Sequence, residues 1–121
     1  EIAHPYFWDG GPVAIAGTVE EGDVVAGFRV IHLPGHAPGL IALFREQDGV
    51  ALTSDAFYAI DMNAHDDPPH TPLDAYNLDT QQARASIRKL AAIDGLTVCW
   101  PGHGNCVRGD LRRELTAAAS G

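Results

Sequence analysis

Three side chains that commonly bind metals occur at the ends of apolar runs in this sequence. His36 and His103 each close a Pro-Gly-His turn, and Asp55 lies between them in the chain. Proline fixes one backbone dihedral and glycine permits a tight bend, so each turn holds its histidine at the end of a strand. Imidazole and carboxylate groups suit Zn, Fe or Mn, and three protein ligands with an open position are typical of catalytic metals. The pattern therefore predicts a metal site that lowers the pKa of a bound water to roughly 7 and so makes a hydroxide nucleophile.

The neighbouring sequence indicates how two of these residues meet. An Asp-Gly hairpin signal at 48–49 separates apolar runs at 39–44 and 50–53. We predict that these runs form antiparallel strands. His36 precedes the first strand and Asp55 follows the second, so the return of the chain brings both to the same edge of the sheet.

Turn signals and hydrophobic periods divide the rest of the chain into short elements. Asp79 with apolar residues at helical spacing predicts one helix, and Asp110 caps a second. The Pro- and His-rich segment that follows Asp55 predicts an irregular loop or lid near the site. The predicted elements are an arm over 1–12, strands over 13–16, 24–33 (broken near Gly27) and 96–100, a loop or lid over 56–78, and helices over 79–94 and 110–119. This order predicts one α/β (α+β) domain over 1–121.

Composition disfavours two classes of partner. The formal charge is −8, with 16 acidic against 8 basic residues, whereas a nucleic-acid surface needs clustered Lys and Arg. No run approaches the roughly 20 apolar residues of a membrane span, and no charged-then-apolar signal segment opens the chain. Two cysteines flank the second Pro-Gly-His turn, a usage that fits a reducing cytoplasm better than a disulfide scaffold.

Three stretches, at 28–39, 52–56 and 100–104, resemble in order and spacing the second half of a hydrolase of the metallo-β-lactamase superfamily. The resemblance implies a four-layer αββα sandwich of two similar halves. This chain would form the second half, with a mixed or antiparallel sheet and two helices. It also implies a site at the sheet edge that holds two zinc ions, or iron or manganese.

The resemblance assigns a role to each of the three side chains. His36 corresponds to a ligand of the first metal and His103 to a ligand of the second. Asp55 corresponds to the carboxylate that bridges the two metals and helps orient the hydroxide. Ser54 stands where the family usually has glycine, so we expect an ordinary backbone dihedral there. His65 and His70, in the loop after Asp55, are candidates for substrate contact.

The H-x-H-x-D-H motif of the family's first half has no match in residues 1–35. That motif supplies four of the seven usual ligands in the family, so the chain reads as a C-terminal fragment that lacks its N-terminal half-domain. A stable zinc site needs about four ligands. We therefore predict that the chain alone binds metal weakly or not at all and is catalytically inactive.

The predicted activity of the intact parent is hydrolysis of an ester, thioester or lactone bond in a small molecule by a metal-bound hydroxide. A glyoxalase II-like thioesterase is the nearest specific relative implied, and an iron-dependent sulfur dioxygenase relative is an alternative. The other alternative is a non-catalytic half-domain. Its exposed apolar sheet would then drive self-association into a homo-oligomer.

Overall fold

The computed structural model describes residues 11–121, so the predicted arm over 1–12 lies almost wholly outside the described residues. The strands, in chain order, are β1 (Val24–Val25), β2 (Phe28–His32), β3 (Ile41–Arg45), β4 (Val50–Ser54), β5 (Tyr58–Ile60), β6 (Asp66–His70), β7 (Val98–Pro101) and β8 (Val107–Arg108). The helices are α1 (Thr80–Ala91) and α2 (Leu111–Ser120), and a short 3-10 helix spans Asp74–Tyr76.

Six of the strands form one mixed sheet in the order β1-β2-β3-β4-β7-β8. Strands β4 and β7 pair in parallel, and the other neighbours in this sheet are antiparallel. The helices α1 and α2 pack together and cover one face of the sheet. This mixed sheet with two helices is the α+β arrangement that the sequence predicts.

The hairpin at 48–49 is confirmed. Strands β3 and β4 pair antiparallel with Leu43 opposite Leu52, which returns the chain to the edge where β3 begins. Strand β7 then runs parallel to β4, with Leu52 opposite Trp100. Because parallel strands end on the same side of a sheet, the residues after β4 and those after β7 emerge together.

Both helices begin where the sequence predicts, because an aspartate caps each of them. Asp79 accepts a hydrogen bond from the backbone N–H of Gln82 at 3.0 Å, and Asp110 accepts one from Arg113 at 3.2 Å. Such a cap satisfies one of the free N–H groups in the first turn. The first helix ends at Ala91 rather than at 94. The core between helices and sheet consists mainly of fully buried apolar side chains, among them Ile31, Phe44, Ile87, Leu90 and Leu115.

The prediction of one broken strand over 24–33 is wrong in detail, because the segment is a hairpin. Strands β1 and β2 pair antiparallel. Between them Ala26 has φ +52° and Gly27 has φ +84°, the two positive values of a tight hairpin turn. The predicted strand over 13–16 is absent, since these residues form no regular element.

The segment 56–78 also differs from its prediction as an irregular loop. It contains β5 and β6, which form a separate antiparallel pair, and the 3-10 helix. The prolines Pro68 and Pro69 lie in β6, which pairs with β5 alone among the described strands. Proline is tolerated in such an edge strand because one side of it makes no ladder hydrogen bonds.

The sheet face opposite the helices carries exposed apolar side chains. Leu43, Leu52 and Trp100 lie side by side across β3, β4 and β7. Leu52 and Trp100 are exposed although both are large and apolar. We call these three residues the open sheet face. Within residues 11–121, no helix is long and apolar enough to cross a membrane.

Candidate metal centre

The first Pro-Gly-His turn is held against helix α1. The carbonyl of Gly35 accepts a hydrogen bond from Asp79 N at 2.9 Å, and that of Pro34 accepts one from Ser86 Oγ at 2.6 Å. Gly35 has φ +132°, and a Cβ at this position would lie only 2.1 Å from the backbone nitrogen of Ala83. Glycine is therefore required both by the backbone conformation and by the close approach of the helix.

The His36 side chain is oriented by Asn77. The imidazole of His36 is 18% exposed, and its Nδ1 lies 3.1 Å from Asn77 Oδ1. The amide of Asn77 donates to Pro72 O at 2.7 Å and lies 3.2 Å from Thr80 Oγ1, which fixes the amide with its oxygen towards the ring. Nδ1 of His36 must then be the donor, so Nε2 carries the free lone pair of the neutral ring. A metal ligand needs that arrangement.

Asp55 lies between the two turns. Its Oδ2 is 3.7 Å from His36 Nε2 and its Oδ1 is 2.7 Å from His103 Nδ1. The backbone of Gly102 passes directly beneath the carboxylate, since a Cβ there would lie 2.4 Å from Asp55 Oδ1. Gly102 N also donates to Ser54 O at 2.8 Å, which ties the second turn to the end of β4.

Ser54 does not have the ordinary dihedral expected of a serine. Its φ is +48°, in the left-handed region that glycine enters without cost and other residues enter at about 1–2 kcal/mol. The chain thus keeps the backbone shape typical of glycine before Asp55, with a residue that strains it.

The second turn is more open than the first. The His103 side chain is 53% exposed, and Asp55 is its partner. The His103 carbonyl accepts a hydrogen bond from Ala59 N at 3.0 Å, and Gly104, with φ +110°, packs on the backbone of Ala59. The backbone of this turn is therefore fixed by the start of β5, while its imidazole is held by the carboxylate.

The three predicted ligands meet at one edge of the sheet, but their side chains do not form a metal-binding cluster. Within residues 11–121, no group of three or more His, Cys, Asp or Glu side chains is arranged to hold a metal. His103 Nδ1 donates a hydrogen bond to Asp55 Oδ1, so Nε2 carries the free lone pair of the neutral ring, as it does in His36. The imidazole and carboxylate donors are of the types that bind zinc, iron or manganese. Three of them are too few to complete the coordination of two ions. Their assignment as ligands remains a prediction.

Tyr58 lies at the centre of this edge, and the sequence reasoning did not single it out. Its ring centroid is 4.9 Å from that of His103, 6.0 Å from that of His36 and 6.2 Å from that of His70. Burial and the negative charge of Asp55 raise the pKa of Tyr58, so its phenol stays protonated at neutral pH. Its position three residues after Asp55 was the one feature of the sequence that could have indicated that Tyr58 lies near the site.

The two histidines predicted to contact substrate differ in their surroundings. His65 is exposed and lies 3.3 Å from Asp61 Oδ2, in the turn between β5 and β6. His70 is half-buried, with Nε2 2.9 Å from Ile60 O, and it lines a cavity together with His103. The structure therefore brings His70, but not His65, to the cavity beside the candidate metal centre.

The comparison with protein families agrees with the geometry. The family model described as the metallo-beta-lactamase superfamily matches residues 3–103. This chain belongs to the metallo-beta-lactamase superfamily. Within residues 11–121, the superfamily assignment covers both Pro-Gly-His turns, Asp55 and the strands that deliver them.

Individual relatives are longer than this chain. It is 33% identical over 97 residues to the probable metallo-hydrolase YflN of Bacillus subtilis (strain 168), which covers 74% of this chain and 36% of that protein. The metallo-beta-lactamase family protein TTHA1429 of Thermus thermophilus superimposes with a TM-score of 0.63 at 29% identity, over 84% of this chain and 33% of that one. TTHA1623, described in a di-iron-bound form, superimposes with a TM-score of 0.62 at 26% identity, over 85% of this chain and 48% of that one. The chain therefore spans about a third to a half of the length of these superfamily members.

Proposed function

We propose that this chain carries half of the catalytic centre of a metal-dependent hydrolase that cleaves an ester, thioester or lactone bond in a small molecule. The observation that carries the proposal is the meeting of His36, Asp55 and His103 at one sheet edge, where each lies in the connection that follows a different strand. Membership of a superfamily whose relatives include a probable metallo-hydrolase supports the reaction class.

Each side chain has a separate task in this proposal. His36, through the Nε2 that Asn77 leaves free, and His103 would each hold one of two zinc ions, or of two iron or manganese ions, with Asp55 shared between them. When bound, the metals supply an acidified water and polarise the carbonyl of the substrate. Asp55 would accept a hydrogen bond from the attacking water and orient it, and Tyr58 would keep a neutral phenol beside His36 and His103.

The remaining ligands, in this proposal, belong to an N-terminal half-domain that packs on the open sheet face. Two histidines and one shared carboxylate are fewer ligands than two zinc ions require. A row of the half-buried Leu43 with the exposed Leu52 and Trp100 is the kind of surface that monomers usually cover. The 121-residue chain alone is then a weak metal binder without hydrolytic activity.

Two variants of this proposal have separate support. A sulfur dioxygenase-like relative with iron is the second candidate, and the di-iron form described for TTHA1623 supports iron as the metal. The open sheet face equally supports a homo-oligomer of the chain, in which a second copy replaces the missing half. A cytoplasmic location is proposed on the two free cysteines, Cys99 and Cys106, which form no disulfide.

The test compares the 121-residue chain with the product of the whole gene. After dialysis against zinc and then metal-free buffer, we expect less than one tightly held zinc per chain by elemental analysis. We expect the whole gene product to hydrolyse an ester, a thioester or a lactone. Asp55→Ala should reduce that rate by more than the roughly 10–100-fold typical of changes around a metal ligand, whereas the exposed Asp94→Ala should not.

Two results would contradict the proposal. A whole gene product that holds metal but hydrolyses none of the three bond types would remove the reaction class. Stoichiometric, tightly held zinc in the 121-residue chain would show that the ligand count is wrong. Light scattering on the same chain separates the two occupants of the open sheet face, since a well-folded monomer argues against the homo-oligomer.

A further inference from the structure

A cavity of about 520 Å³ opens beside His103, on the side of the candidate metal centre formed by the β5–β6 pair. This volume lies within the range of small-molecule sites, roughly 300–1,000 Å³. Ile60 and Met62 form one wall, and Leu73 and Tyr76, at the 3-10 helix, form another. The segment predicted as an irregular loop therefore forms most of the wall of this cavity.

The cavity wall is apolar and partly open to water. Met62 is 75% exposed, Tyr76 52% and Leu73 51%. Apolar side chains grouped around a concavity lose contact with water when an apolar ligand enters, which favours binding in proportion to the area covered. Met62, Leu73 and Tyr76 thus form an apolar surface around one opening, which a hydrocarbon group would cover on entry.

The charged side chains in the wall are acidic. Asp61 and Asp67 line the cavity, and among the described residues that line it there is no Lys or Arg. The backbone N–H of His65 donates to Asp61 and lowers the pKa of that carboxyl, so Asp61 is ionised at neutral pH. In the metal-free chain an anionic ligand would meet two carboxylates and no Lys or Arg, and the two histidines of the wall, His70 and His103, each already face a carboxylate.

We propose that this cavity binds the apolar, uncharged acyl or alkyl part of the substrate and excludes anionic substrates. The inference deepens the proposed function and rests on it, since His103 both lines the cavity and contacts Asp55. A ligand in the cavity then presents its carbonyl at the sheet edge where the nucleophile forms. A glyoxalase II-like peptide thioester, which carries free carboxylates, fits this lining poorly, whereas a neutral aliphatic ester, thioester or lactone fits it.

The sequence provides a reporter for occupancy, because Met62 is its single methionine. Methionine labelled with ¹³C at the methyl group gives a signal for Met62 that Met62→Leu assigns. The probes are hexanamide and hexanoate, which share one hydrocarbon chain and differ in charge. With the metal-free 121-residue chain we expect hexanamide to shift the Met62 signal with a Kd on the order of 1 mM, a small-ligand affinity. Hexanoate should bind at least about tenfold more weakly.

Matched variants locate the site and its charge preference. Leu73→Ser removes one apolar wall and should weaken hexanamide about five- to tenfold, whereas Val24→Ser, a similar change on the distant strand β1, should not. Asp67→Lys should bring hexanoate to at least the affinity of hexanamide, and Asp94→Lys should not. Leu52→Ser, on the open sheet face, should leave the Met62 shift unchanged.

Several outcomes would overturn the inference. These are a silent Met62 signal with hexanamide, equal binding of hexanoate, no effect of Leu73→Ser, or loss of the shift in Leu52→Ser. Because no metal and no turnover enter the measurement, it is separate from the proposed reaction. Hydrolysis of neutral esters by the whole gene product with a silent Met62 would reject only the cavity. Hexanamide binding without hydrolysis would reject only the reaction.

Discussion

The two Pro-Gly-His turns have the same tripeptide sequence and very different surroundings. The turn of His36 packs on helix α1, and its imidazole is held by Asn77, a residue outside the predicted ligand set. The turn of His103 lies at the sheet edge against the backbone of Ala59 and Ser54, and its imidazole is held by Asp55. The first histidine is largely buried, and the second is exposed.

This difference separates the backbone role of the motif from its chemical role. In both turns glycine allows a close approach, to the backbone of Ala83 in one and to Asp55 in the other. In the first turn, Nε2 of His36 is left free in the neutral ring. In the second, a ring nitrogen of His103 is already bonded to the shared carboxylate. The neutral ring of each histidine therefore keeps a free Nε2, and the turns differ in the partner that orients the ring, which is an amide in the first turn and the shared carboxylate in the second.

The largest expected effect compares alanine at the two glycines. In Gly35→Ala the new Cβ meets the backbone of α1 at 2.1 Å and φ is +132°, so we expect a loss of about 3 kcal/mol or more in the free energy of unfolding. In Gly102→Ala the nearest atom is Asp55 Oδ1 at 2.4 Å, a side-chain atom that can move. We expect a loss of only about 1 kcal/mol there.

Urea unfolding measures both variants, and NMR of the histidine rings shows which contact has changed. Gly102→Ala should displace the His103 signal more than that of His36. Equal losses of stability in the two variants would remove the distinction between a helix-supported and a carboxylate-supported turn.

The next effect depends on pH and concerns β7, the strand that delivers the second turn. Burial raises the pKa of the Cys99 thiol from 9.0 to about 12. The unfolded thiol ionises above pH 9 while the folded one stays neutral. The free energy of unfolding therefore does not depend on the ionisation of this thiol below pH 9. It falls as pH rises from 9 towards 12, by up to about 1.4 kcal/mol per pH unit.

Unfolding free energies of the wild type and Cys99→Ala between pH 8 and 11 test this, because the variant lacks that slope. Cys106→Ala, at a partly exposed position, is the matched control and should keep it. Parallel pH profiles for the wild type and Cys99→Ala would mean that β7 is not closed around its thiol.

Asn77→Leu tests whether the first turn depends on its distant partner. The amide hydrogen bonds to His36, Pro72 and Thr80 are lost, so we expect a loss of about 1–2 kcal/mol. The ¹⁵N shifts of the neutral His36 ring should move away from the pure Nδ1–H form, while those of His103 stay unchanged. Asn105→Leu, which removes an exposed side-chain hydrogen bond, is the control. An unchanged His36 tautomer would show that Asn77 does not set it.

The smallest expected effect is a gain in stability. Ser54→Gly relieves the positive φ of +48° before Asp55 and should raise the free energy of unfolding by up to about 1 kcal/mol. Ala85→Gly introduces glycine at an exposed position of helix α1, where φ is ordinary, and should lower the free energy of unfolding by about 1 kcal/mol. A loss of stability in Ser54→Gly would mean that the serine side chain, and not the backbone, holds this corner in place.

Short-range signals in the sequence predicted much of the fold. The Asp-Gly turn at 48–49 and the caps Asp79 and Asp110 act within a few residues of themselves. Each is satisfied by local backbone geometry, which explains why these elements appear where expected. Where local signals were ambiguous, as in 24–33 and 56–78, strands paired in ways that the sequence did not indicate.

By itself the sequence determined the superfamily, the mixed sheet with two helices, and the meeting of His36 with Asp55 through a hairpin. Only the tertiary structure decided how the rings are held. Asn77 is 41 residues from His36, and Asp55 is 48 residues from His103. Contacts over such separations depend on the parallel pairing of β4 with β7 and on the packing of α1, which local propensity does not encode. The same packing formed the acidic, apolar cavity beside His103.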